Sequence, residues 1–328
     1  MLRRRSMLGV VGGALGSVTL GGAAAHAQLA AWPDRPVRIV TTVPPGGAPD
    51  IVARILAQRL QERLGQPFPV ENRSGSNGAL ATEAAARARP DGHTLLFAQD
   101  TVLAVNPWIY DSLAVNPLTE LVPISAFASN QFILSVHPSV PARSFAEFLH
   151  HARNATIPIA YASGGVGSQH QLAMEMLAQR AGLKMLHVPF RGGTPAANAT
   201  MSGDTRAMFS GTSSAPLIQQ GRLRALAVTG PARSPLFPDL PRIGEVFPGY
   251  EVVIWLGLFA PVGVPEAILA RLRAEVLAAT ADPIVRARLE AAGGLEPMPV
   301  AGADFVALIQ ADAQKYRTLI REIGLRVE

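Results

Sequence analysis

The sequence predicts an α/β protein built from two lobes with a cleft between them. Roughly 300 residues remain after the amino-terminal segment discussed below, which is more than a single hydrophobic core usually serves. Hydrophobic residues make up 48% of the chain, enough apolar surface for two cores. Patterns of strand, glycine-rich loop and helix follow one another and then recur, as in sheets with crossover helices.

The first unit of this pattern lies in the first hundred residues. A strand is predicted over residues 37–43 and a loop over residues 44–50, after which apolar residues recur at helical spacing up to Gly65. Further predicted elements are a strand at 68–71, a glycine-containing loop at 72–78, an alanine-rich helix to residue 88, a turn at 90–92 and a buried strand at 94–98.

The middle of the chain repeats this plan. A strand at 157–162, a glycine loop at 163–168 and a helix ending near Gly182 precede a strand at 185–190 and a further glycine loop at 191–195. The tetrad Leu-Ala-Gln-Arg also occurs at residues 56–59 and 177–180, in similar helix positions. Two similar lobes are therefore predicted, and the apolar stripes after residue 268 predict long helices that pack back on a lobe.

The amino terminus has the three parts of a bacterial secretory signal. Three arginines at positions 3–5 precede an uncharged run over residues 6–25, and Ala25-His26-Ala27 is a small-x-small cleavage site. Residues 4–8 also approach the twin-arginine export pattern. We expect cleavage of residues 1–27, a mature chain beginning at Gln28, and a periplasmic location.

Composition excludes several classes of function. The chain has no cysteine, so neither a lipid-anchored cysteine nor a disulfide framework is expected. Removal of Arg3, Arg4 and Arg5 from 29 basic residues leaves 26 against 24 acidic ones, dispersed along the chain, so a nucleic acid is not expected as partner. No metal is expected either, because the His150-His151 pair has no further ligands at zinc or calcium spacing.

The glycine loops predict an anion-binding site. A glycine-rich loop between a strand and a helix presents backbone N–H groups and the positive end of the helix dipole. The loops containing Gly46 and Gly47, Gly164, Gly165 and Gly167, and Gly192 and Gly193 are candidates, although glycines there can also serve tight turns alone. Three such loops in one chain favour a binding site in the cleft.

Motifs over the whole mature chain carry a family resemblance. The first runs from Trp32-Pro33-x-Arg35-Pro36-Val37-Arg38 into Pro44-Pro45-Gly46-Gly47-x-x-Asp50-x-x-Ala53-Arg54. The others are Val70-Glu71-Asn72-Arg73, Pro90-Asp91-Gly92-His93-Thr94-Leu95-Leu96, Asn106-Pro107, Tyr161-Ala162-Ser163-Gly164-Gly165-x-Gly167-Ser168-x-His170, His187-Val188-Pro189-Phe190, Leu223-Arg224-Ala225-Leu226-Ala227-Val228-Thr229 and Trp255-x-Gly257-Leu258-x-Ala260-Pro261. In this order they resemble the Bug-type substrate-binding proteins of tripartite tricarboxylate transporters.

The resemblance implies a type II-like periplasmic-binding-protein fold, in which crossing strands join two α/β domains around a small carboxylate. It implies chain crossings near residues 127–133 and 250–255, hence a first domain of residues 28–129 plus 254–328 and a second of residues 130–253. It also implies that backbone amides and ordered water hold the carboxylate, through the loop containing Pro45, Gly46 and Gly47 and the loop from Ser163 through Ser168. Two membrane permease subunits are the implied partners, no cofactor is expected, and a monomer is usual for such proteins.

Three residues beside the loops carry open alternatives. Asp50 is expected to cap the first N–H groups of its helix or to face a ligand amino group, or both. His170 either orients a ligand or is a structural residue of the helix. Arg191 either grips a second carboxylate or is a solvated loop residue.

Departures from the family pattern suggest a ligand class. Gln99-Asp100-Thr101 stands where many members carry small hydroxyl residues, which predicts a carboxylate at the mouth of the cleft. Ser210 and Thr212 lie where many relatives carry an Asp-Asn pair. We therefore expect a monocarboxylate with an amino or ring-nitrogen group that pairs with Asp100, since a dicarboxylate would be repelled.

Enzymes and sensors are the competing classes of function. Residues 211–215 approach the G-x-S-x-G nucleophile elbow and Ser168 lies near His170, but the last glycine is missing and no triad is completed. Gly165-x-Gly167 has His170 where a dinucleotide fingerprint needs glycine. A receptor that reports its ligand to a sensor protein would have the same binding fold as a transport receptor.

Overall fold

The computed structural model describes residues 32–327. The predicted export signal, residues 1–27, and the predicted mature terminus Gln28 lie outside the described residues.

The described chain alternates strands and helices. The strands are β1 (Arg38–Thr41), β2 (Val70–Asn72), β3 (Thr94–Gln99), β4 (Leu121–Gln131), β5 (Ile133–Val136), β6 (Ile159–Ser163), β7 (Met185–Pro189), β8 (Ala207–Ser210), β9 (Arg224–Val228), β10 (Val253–Pro261) and β11 (Glu296–Pro297). The helices are α1 (Ala48–Leu64), α2 (Ala79–Ala86), α3 (Thr101–Ala104), α4 (Asn106–Ile109), α5 (Pro117–Glu120), α6 (Phe145–Asn154), α7 (Gln169–Ala181), α8 (Gly193–Ser202), α9 (Ala215–Gln219), α10 (Ile243–Val246), α11 (Glu266–Thr280), α12 (Pro283–Ala291) and α13 (Gly302–Ile323).

Two sheets define two lobes, so the predicted α/β fold class is confirmed. The first lobe holds the six-stranded sheet in the order β11-β4-β10-β3-β1-β2, and the second lobe holds the five-stranded sheet β7-β6-β8-β5-β9. Each sheet contains three parallel neighbours, β2-β1-β3 in the first lobe and β7-β6-β8 in the second. The chain passes from the first sheet to the second at Phe132 and returns from Val252 into β10.

Helices cover both faces of the first sheet. Ile39 and Leu95 pack with apolar residues of α1, α11 and α12 on one face. Val40, Leu96 and Ala98 pack with α2, α3 and the start of α13 on the other. This alternation follows from the two-residue period of a strand, and it decides which face each residue beyond the strand ends will meet.

A third core joins the two lobes. It contains α6, α7 and the strands of the second lobe, together with Ala104, Val105 and Ile109 of the first lobe and the end of α13. Helix α13 therefore begins over the first sheet and ends against α7. The lobes contact each other through apolar packing as well as through the crossing strands.

The first helix of each lobe is built in the same way. Gly46 and Gly167, two positions before Ala48 and Gln169 at the helix starts, both have positive φ, 83° and 75°. These two glycines are separated by 121 positions, and so are the two Leu-Ala-Gln-Arg tetrads. The spacing supports the predicted similarity of the two lobes.

Gly257 offers a test of the packing of α13 on β10, on the face of the first sheet that contains Val40 and Leu96. A Cβ placed there would lie 2.6 Å from Phe305 Cζ and 3.2 Å from the Ser125 carbonyl oxygen. Because this core is close-packed, we expect Gly257→Ala to lower the free energy of unfolding by about 1–3 kcal/mol. Urea denaturation measures the change, and an unchanged midpoint would contradict the packing of Phe305 on β10.

Among residues 32–327, no helix combines the length and the apolar character that crossing a membrane would require.

Candidate functional site

The loop after β1 is organised by the carboxylate of Asp50. Asp50 is 3% exposed, and its Oδ2 accepts hydrogen bonds from the Gly46 amide at 2.9 Å and from Arg54 Nε at 3.1 Å. Its Oδ1 accepts from Asn72 Nδ2 at 2.8 Å, and the same Asn72 amide donates to the Val43 carbonyl at 3.0 Å. Asp50 thus ties the glycine loop to α1 and to the end of β2.

The prediction that Asp50 caps the first N–H groups of its own helix is wrong. The donor is the Gly46 amide, which precedes the Gly47 N-cap, and not an N–H group of the helix itself. Burial raises the pKa of Asp50, but the hydrogen bonds from Arg54, Gly46 and Asn72 together bring it below its ordinary value. The carboxylate is ionised at neutral pH and both of its oxygens are occupied.

The loop after β6 repeats this arrangement with a neutral side chain. The Gly167 amide donates to Gln171 Oε1 at 2.8 Å, four residues later, as the Gly46 amide does to Asp50. Ser168 is the N-cap of α7, and its hydroxyl accepts from the Gln171 amide. In both lobes, therefore, a left-handed glycine is fixed by the side chain in the first turn of the following helix.

Ser163 lies at the centre of a hydrogen-bonded group beneath the second loop. Its hydroxyl is 2.6 Å from His187 Nε2 and accepts from the Gly165 amide at 3.1 Å. The His187 ring stacks on Tyr161, with 5.1 Å between centroids, and burial lowers the pKa of His187. The His187 ring therefore positions the Ser163 hydroxyl, which in turn fixes the loop through the Gly165 amide.

We expect Ser163→Ala to lower the free energy of unfolding by about 1–2 kcal/mol, because the Gly165 amide and the His187 ring nitrogen both lose a buried partner. Chemical denaturation measures the loss. The exposed Ser112→Ala is the control and should leave stability unchanged. Equal stability of the two variants would contradict the role of the Ser163 hydroxyl.

His170 fills the space between the two glycine loops of the second lobe. A Cβ on Gly164 would lie 3.1 Å from His170 Nδ1, and one on Gly193 would lie 3.3 Å from Nε2. The ring packs on Phe132 with 4.7 Å between centroids, and burial lowers the pKa of His170 to about 4. The ring is therefore neutral at neutral pH. Its Nδ1 is buried and has no partner among the described residues, so the structural and ligand-orienting roles remain compatible.

Most amides of the predicted anion cradles are already bonded within the loops. The amides of Gly46, Gly47, Gly165, Gly167 and Gly192 donate to Asp50, the Pro44 carbonyl, Ser163, Gln171 and the Gly164 carbonyl, respectively. The expectation that these five glycines present unpaired N–H groups is therefore wrong. In each loop these amides stabilise the conformation of the loop itself, and Pro45 has no N–H group that could bind an anion.

Other amides remain open at the same places. Among the described residues, the N–H groups of Ala48 and Asp50 in the first turn of α1 have no acceptor, and neither have those of Gln169 and His170 in the first turn of α7 or that of Gly164 in the loop before it. First-turn amides lack an intrahelical partner and point along the positive end of the helix dipole. These N–H groups are therefore the donors that remain available to an anion beside the two loops.

The predicted position of Asp100 at the mouth of the cleft is wrong. Asp100 is fully buried, and Asp312 and Lys315 of α13 lie near its carboxylate. Its Oδ1 accepts from the Thr101 amide at 2.8 Å, and its Oδ2 accepts from Gln169 Nε2 of the second lobe. Thr101 is also fully buried, and its hydroxyl accepts from Gln99 at 2.8 Å.

The hydroxyl groups of Ser210, at the end of β8, and of Thr212 also have hydrogen-bond partners within the protein. Ser210 is fully buried and lies 2.8 Å from the Ser135 hydroxyl within the second sheet. Thr212 donates to the Gly293 carbonyl and lies 3.0 Å from Asn130 Oδ1, so it joins the second lobe to the end of α12. Neither hydroxyl group is therefore free to contact a ligand from the wall of the cleft.

Arg191 is the exposed charge of these loops, whereas Asp50 and Asp100 are buried. Its neighbour Gly192 donates to the Gly164 carbonyl at 3.1 Å, which places Arg191 beside the second glycine loop. No side-chain hydrogen bond or salt bridge of Arg191 occurs within residues 32–327. Its guanidinium group is available to an anionic partner.

A cavity of about 670 Å³ lies at the crossing strands. Its lining includes Asn130, Thr212, Trp255, Leu295 and Lys315, from both lobes and α13. Among the predicted ligand-binding residues, only Thr212 lines it. The cavity is therefore separate from the glycine loops.

Sequence reasoning missed Ala48 and Gln169, which follow the two glycine loops directly. The signal that points to them is the helix start itself, since the first residues of a helix after a fixed N-cap always leave donors open. Gln169 is the unspecified residue between Ser168 and His170, so the glycine, serine and histidine positions of the motif do not point to it.

Comparison with known proteins identifies relatives of the whole chain. Residues 52–325 match the sequence model of the family described as "Tripartite tricarboxylate transporter family receptor". A "UPF0065 protein in tcbD-tcbE intergenic region" of Pseudomonas sp. (strain P51) is 36% identical over 303 residues, covering 91% of this chain and 89% of the relative.

Solved structures show the same fold. The structure of Rhodopseudomonas palustris Rpa4515 with adipate superposes with a TM-score of 0.81 at 30% identity, covering 90% of this chain and 99% of that one. MatC (Rpa3494) from the same organism, with bound malate, superposes with a TM-score of 0.73 at 29% identity, covering 88% of this chain and 100% of that one.

Proposed function

Because the chain belongs to the tripartite tricarboxylate transporter receptor family, we propose that it is an exported receptor that captures a small carboxylate between its two lobes. As a member of a receptor family it is a binding protein and not an enzyme. The predicted export signal supports a periplasmic location, and two membrane permease subunits are the proposed partners.

The observation that carries the proposal is the matched construction of the two helix starts. In each lobe a side chain of the first turn fixes a left-handed glycine, and the first-turn amides of α1 and α7 are left without acceptors. A carboxylate oxygen is the natural partner of such amides. The contacts of Asp100 with Gln169 and of Ile109 with Gly167 support a closed arrangement, because they place the start of α7 against the first lobe.

We propose further that the ligand carries a second anionic group, which pairs with Arg191. The expectation of an amino-bearing monocarboxylate depended on Asp100, and burial of Asp100 removes that support. Arg191 is exposed beside the second loop and suits bidentate recognition of a carboxylate. Adipate and malate, bound in the two R. palustris structures, each have two carboxylates.

Thermal unfolding of residues 28–328 against a carboxylate panel tests the proposal. The panel contains adipate, malate, short monocarboxylates and amino acids. A ligand at a hundred times its dissociation constant should add about 2.7 kcal/mol of stability. If no compound of the panel shifts the unfolding temperature, capture of a carboxylate is contradicted. If amino acids alone shift it, the assignment of Arg191 is contradicted.

Arg191→Gln separates the two parts of the proposal. The variant should weaken dicarboxylate binding by about tenfold or more, because a charge-assisted bidentate pair is lost. Binding of any monocarboxylate should change little. Equal affinity of the variant and the parent for dicarboxylates would show that Arg191 is a solvated residue that does not contact the ligand.

A further inference from the structure

We infer that Gln169 is a positioning residue, whose side chain ties the start of α7 to Asp100 of the first lobe and so holds the second glycine loop in its binding geometry. This inference rests on the proposed function, because it assigns a role in lobe closure to a contact beside the same site.

The contact joins two rigid points. The Asp100 amide donates to the Trp255 carbonyl at 3.0 Å, and its carboxylate is held at Oδ1 by the Thr101 amide, which fixes the group at the end of β3. Gln169 is the first residue of α7 and is 4% exposed. A hydrogen bond from Gln169 Nε2 to Asp100 Oδ2 therefore fixes the first turn of α7, and with it the open amides of Gln169 and His170.

The surroundings keep water away from this bond. Ile109 of the first lobe lies against Gly167, where a Cβ would approach within 2.5 Å of Ile109 Cδ1. Gln169 Oε1 is buried and has no partner among the described residues. Asp100 is the hydrogen-bond partner of the Gln169 side chain among the described residues, and the Tyr316 hydroxyl lies close to the same amide. Loss of the Asp100 carboxylate or of the Gln169 amide therefore removes this link between the lobes.

Charged groups of α13 face the same carboxylate. Asp312 accepts from Trp255 Nε1 at 2.8 Å and from Lys315 Nζ at 2.6 Å, and Tyr316 is buried in the same region. Burial and the charge of Asp312 raise the pKa of Asp100 well above its ordinary value, against smaller opposing effects of the Thr101 amide, Lys315 and Gln169. The amide of Gln169 suits both states, since it can donate to the carboxylate or, turned over, accept from the carboxyl proton.

The sign of the pH dependence follows from separation of the lobes. When they part, water reaches Asp100 and its pKa falls toward the ordinary value, so closure binds a proton. Closure is therefore favoured at low pH and is lost as the pH rises through the pKa of the closed state.

Distance measurements between spin labels test the inference without ligand. The chain has no cysteine, so Gln61→Cys on α1 and Asn198→Cys on α8, both exposed, give one label in each lobe. The distance distribution of the parent should shift toward closed forms as the pH falls from 8 to 5. Gln169→Leu should lower the ratio of closed to open forms by about tenfold.

Two further variants make the test specific. Asp100→Asn can still bond to the Gln169 amide but cannot titrate, so it should keep the closed form and lose the pH dependence. Gln179→Leu changes an exposed glutamine of the same helix, which bonds to Glu322, and should behave like the parent. Parent-like distances in Gln169→Leu, or an unchanged pH profile in Asp100→Asn, would overturn the inference.

The readouts also separate this inference from the proposed function. A pH-dependent closure that disappears in Asp100→Asn, without any carboxylate binding, would retain the contact and reject only the ligand class. Carboxylate binding with no effect of Gln169→Leu on distances or affinity would retain the proposed function and reject the role of Gln169.

Discussion

Asp50→Ala is expected to lower the free energy of unfolding by about 2–4 kcal/mol and to abolish tight carboxylate binding. The carboxylate accepts bonds from the Gly46 amide, Arg54 and Asn72, so its removal frees the loop from both α1 and β2. Arg54 is half exposed, and solvation of its guanidinium limits the loss of stability. Urea denaturation and calorimetric titration measure the two effects.

The pH dependence of the parent gives an independent check on Asp50. Its pKa is lowered in the folded state, so its contribution to stability is complete at neutral pH and is lost as the pH falls through the folded pKa. The Asp50→Ala variant should lack this part of the acid transition. Gln61→Ala, which changes an exposed residue of the same helix that does not titrate, is the control. An acid profile shared by the parent and Asp50→Ala would contradict the assignment.

Gly167→Val is expected to weaken carboxylate binding by about 5- to 150-fold. The new side chain would overlap Ile109 of the first lobe, where a Cβ lies 2.5 Å from Ile109 Cδ1, and overpacking of this kind costs about 1–3 kcal/mol. That cost applies only when the lobes are together. Calorimetric titration of the parent and the variant with the best ligand of the panel measures it.

Gly182→Val is the matched control for backbone strain. Gly182 ends the same helix with φ 66°, close to the 75° of Gly167, and a Cβ there meets nothing within 4 Å. Both variants should lose about 1–2 kcal/mol of stability, because a side chain disfavours left-handed backbone. Only Gly167→Val should lose affinity. Equal affinities would show that the lobes do not meet at Gly167 in the bound state.

Helices α1 and α7 were predictable because each follows a glycine loop and carries a long apolar stripe. The predicted helix from the first loop to Gly65 is confirmed as α1, and the one ending near Gly182 is confirmed as α7. The short β2 was predicted over residues 68–71 but occupies residues 70–72, because a three-residue edge strand has too few side chains to show a period.

The fate of the polar groups was harder to predict. Asp100 follows a buried strand, and sequence alone does not reveal whether the next residue faces the cleft or a helix from the far end of the chain. The structure settles this through α13, which brings Asp312 and Lys315 to the same face more than 200 positions later. Similarly, the loop glycines were expected to offer their amides, but their partners Asp50 and Gln171 are side chains four residues away. Glycine spacing shows that a loop can adopt the required shape but does not show which of its N–H groups remain unpaired.

Amide chemical shifts of a ¹⁵N-labelled chain, recorded during titration with the best carboxylate of the panel, test the central claim most directly. The largest changes are expected at the open amides of Ala48, Gly164, Gln169 and His170, with little change at the helix-ending Gly65 and Gly182. Changes confined to Gly293, Gly294 and Leu295, beside the cavity at the crossing strands, would contradict it and place the ligand there.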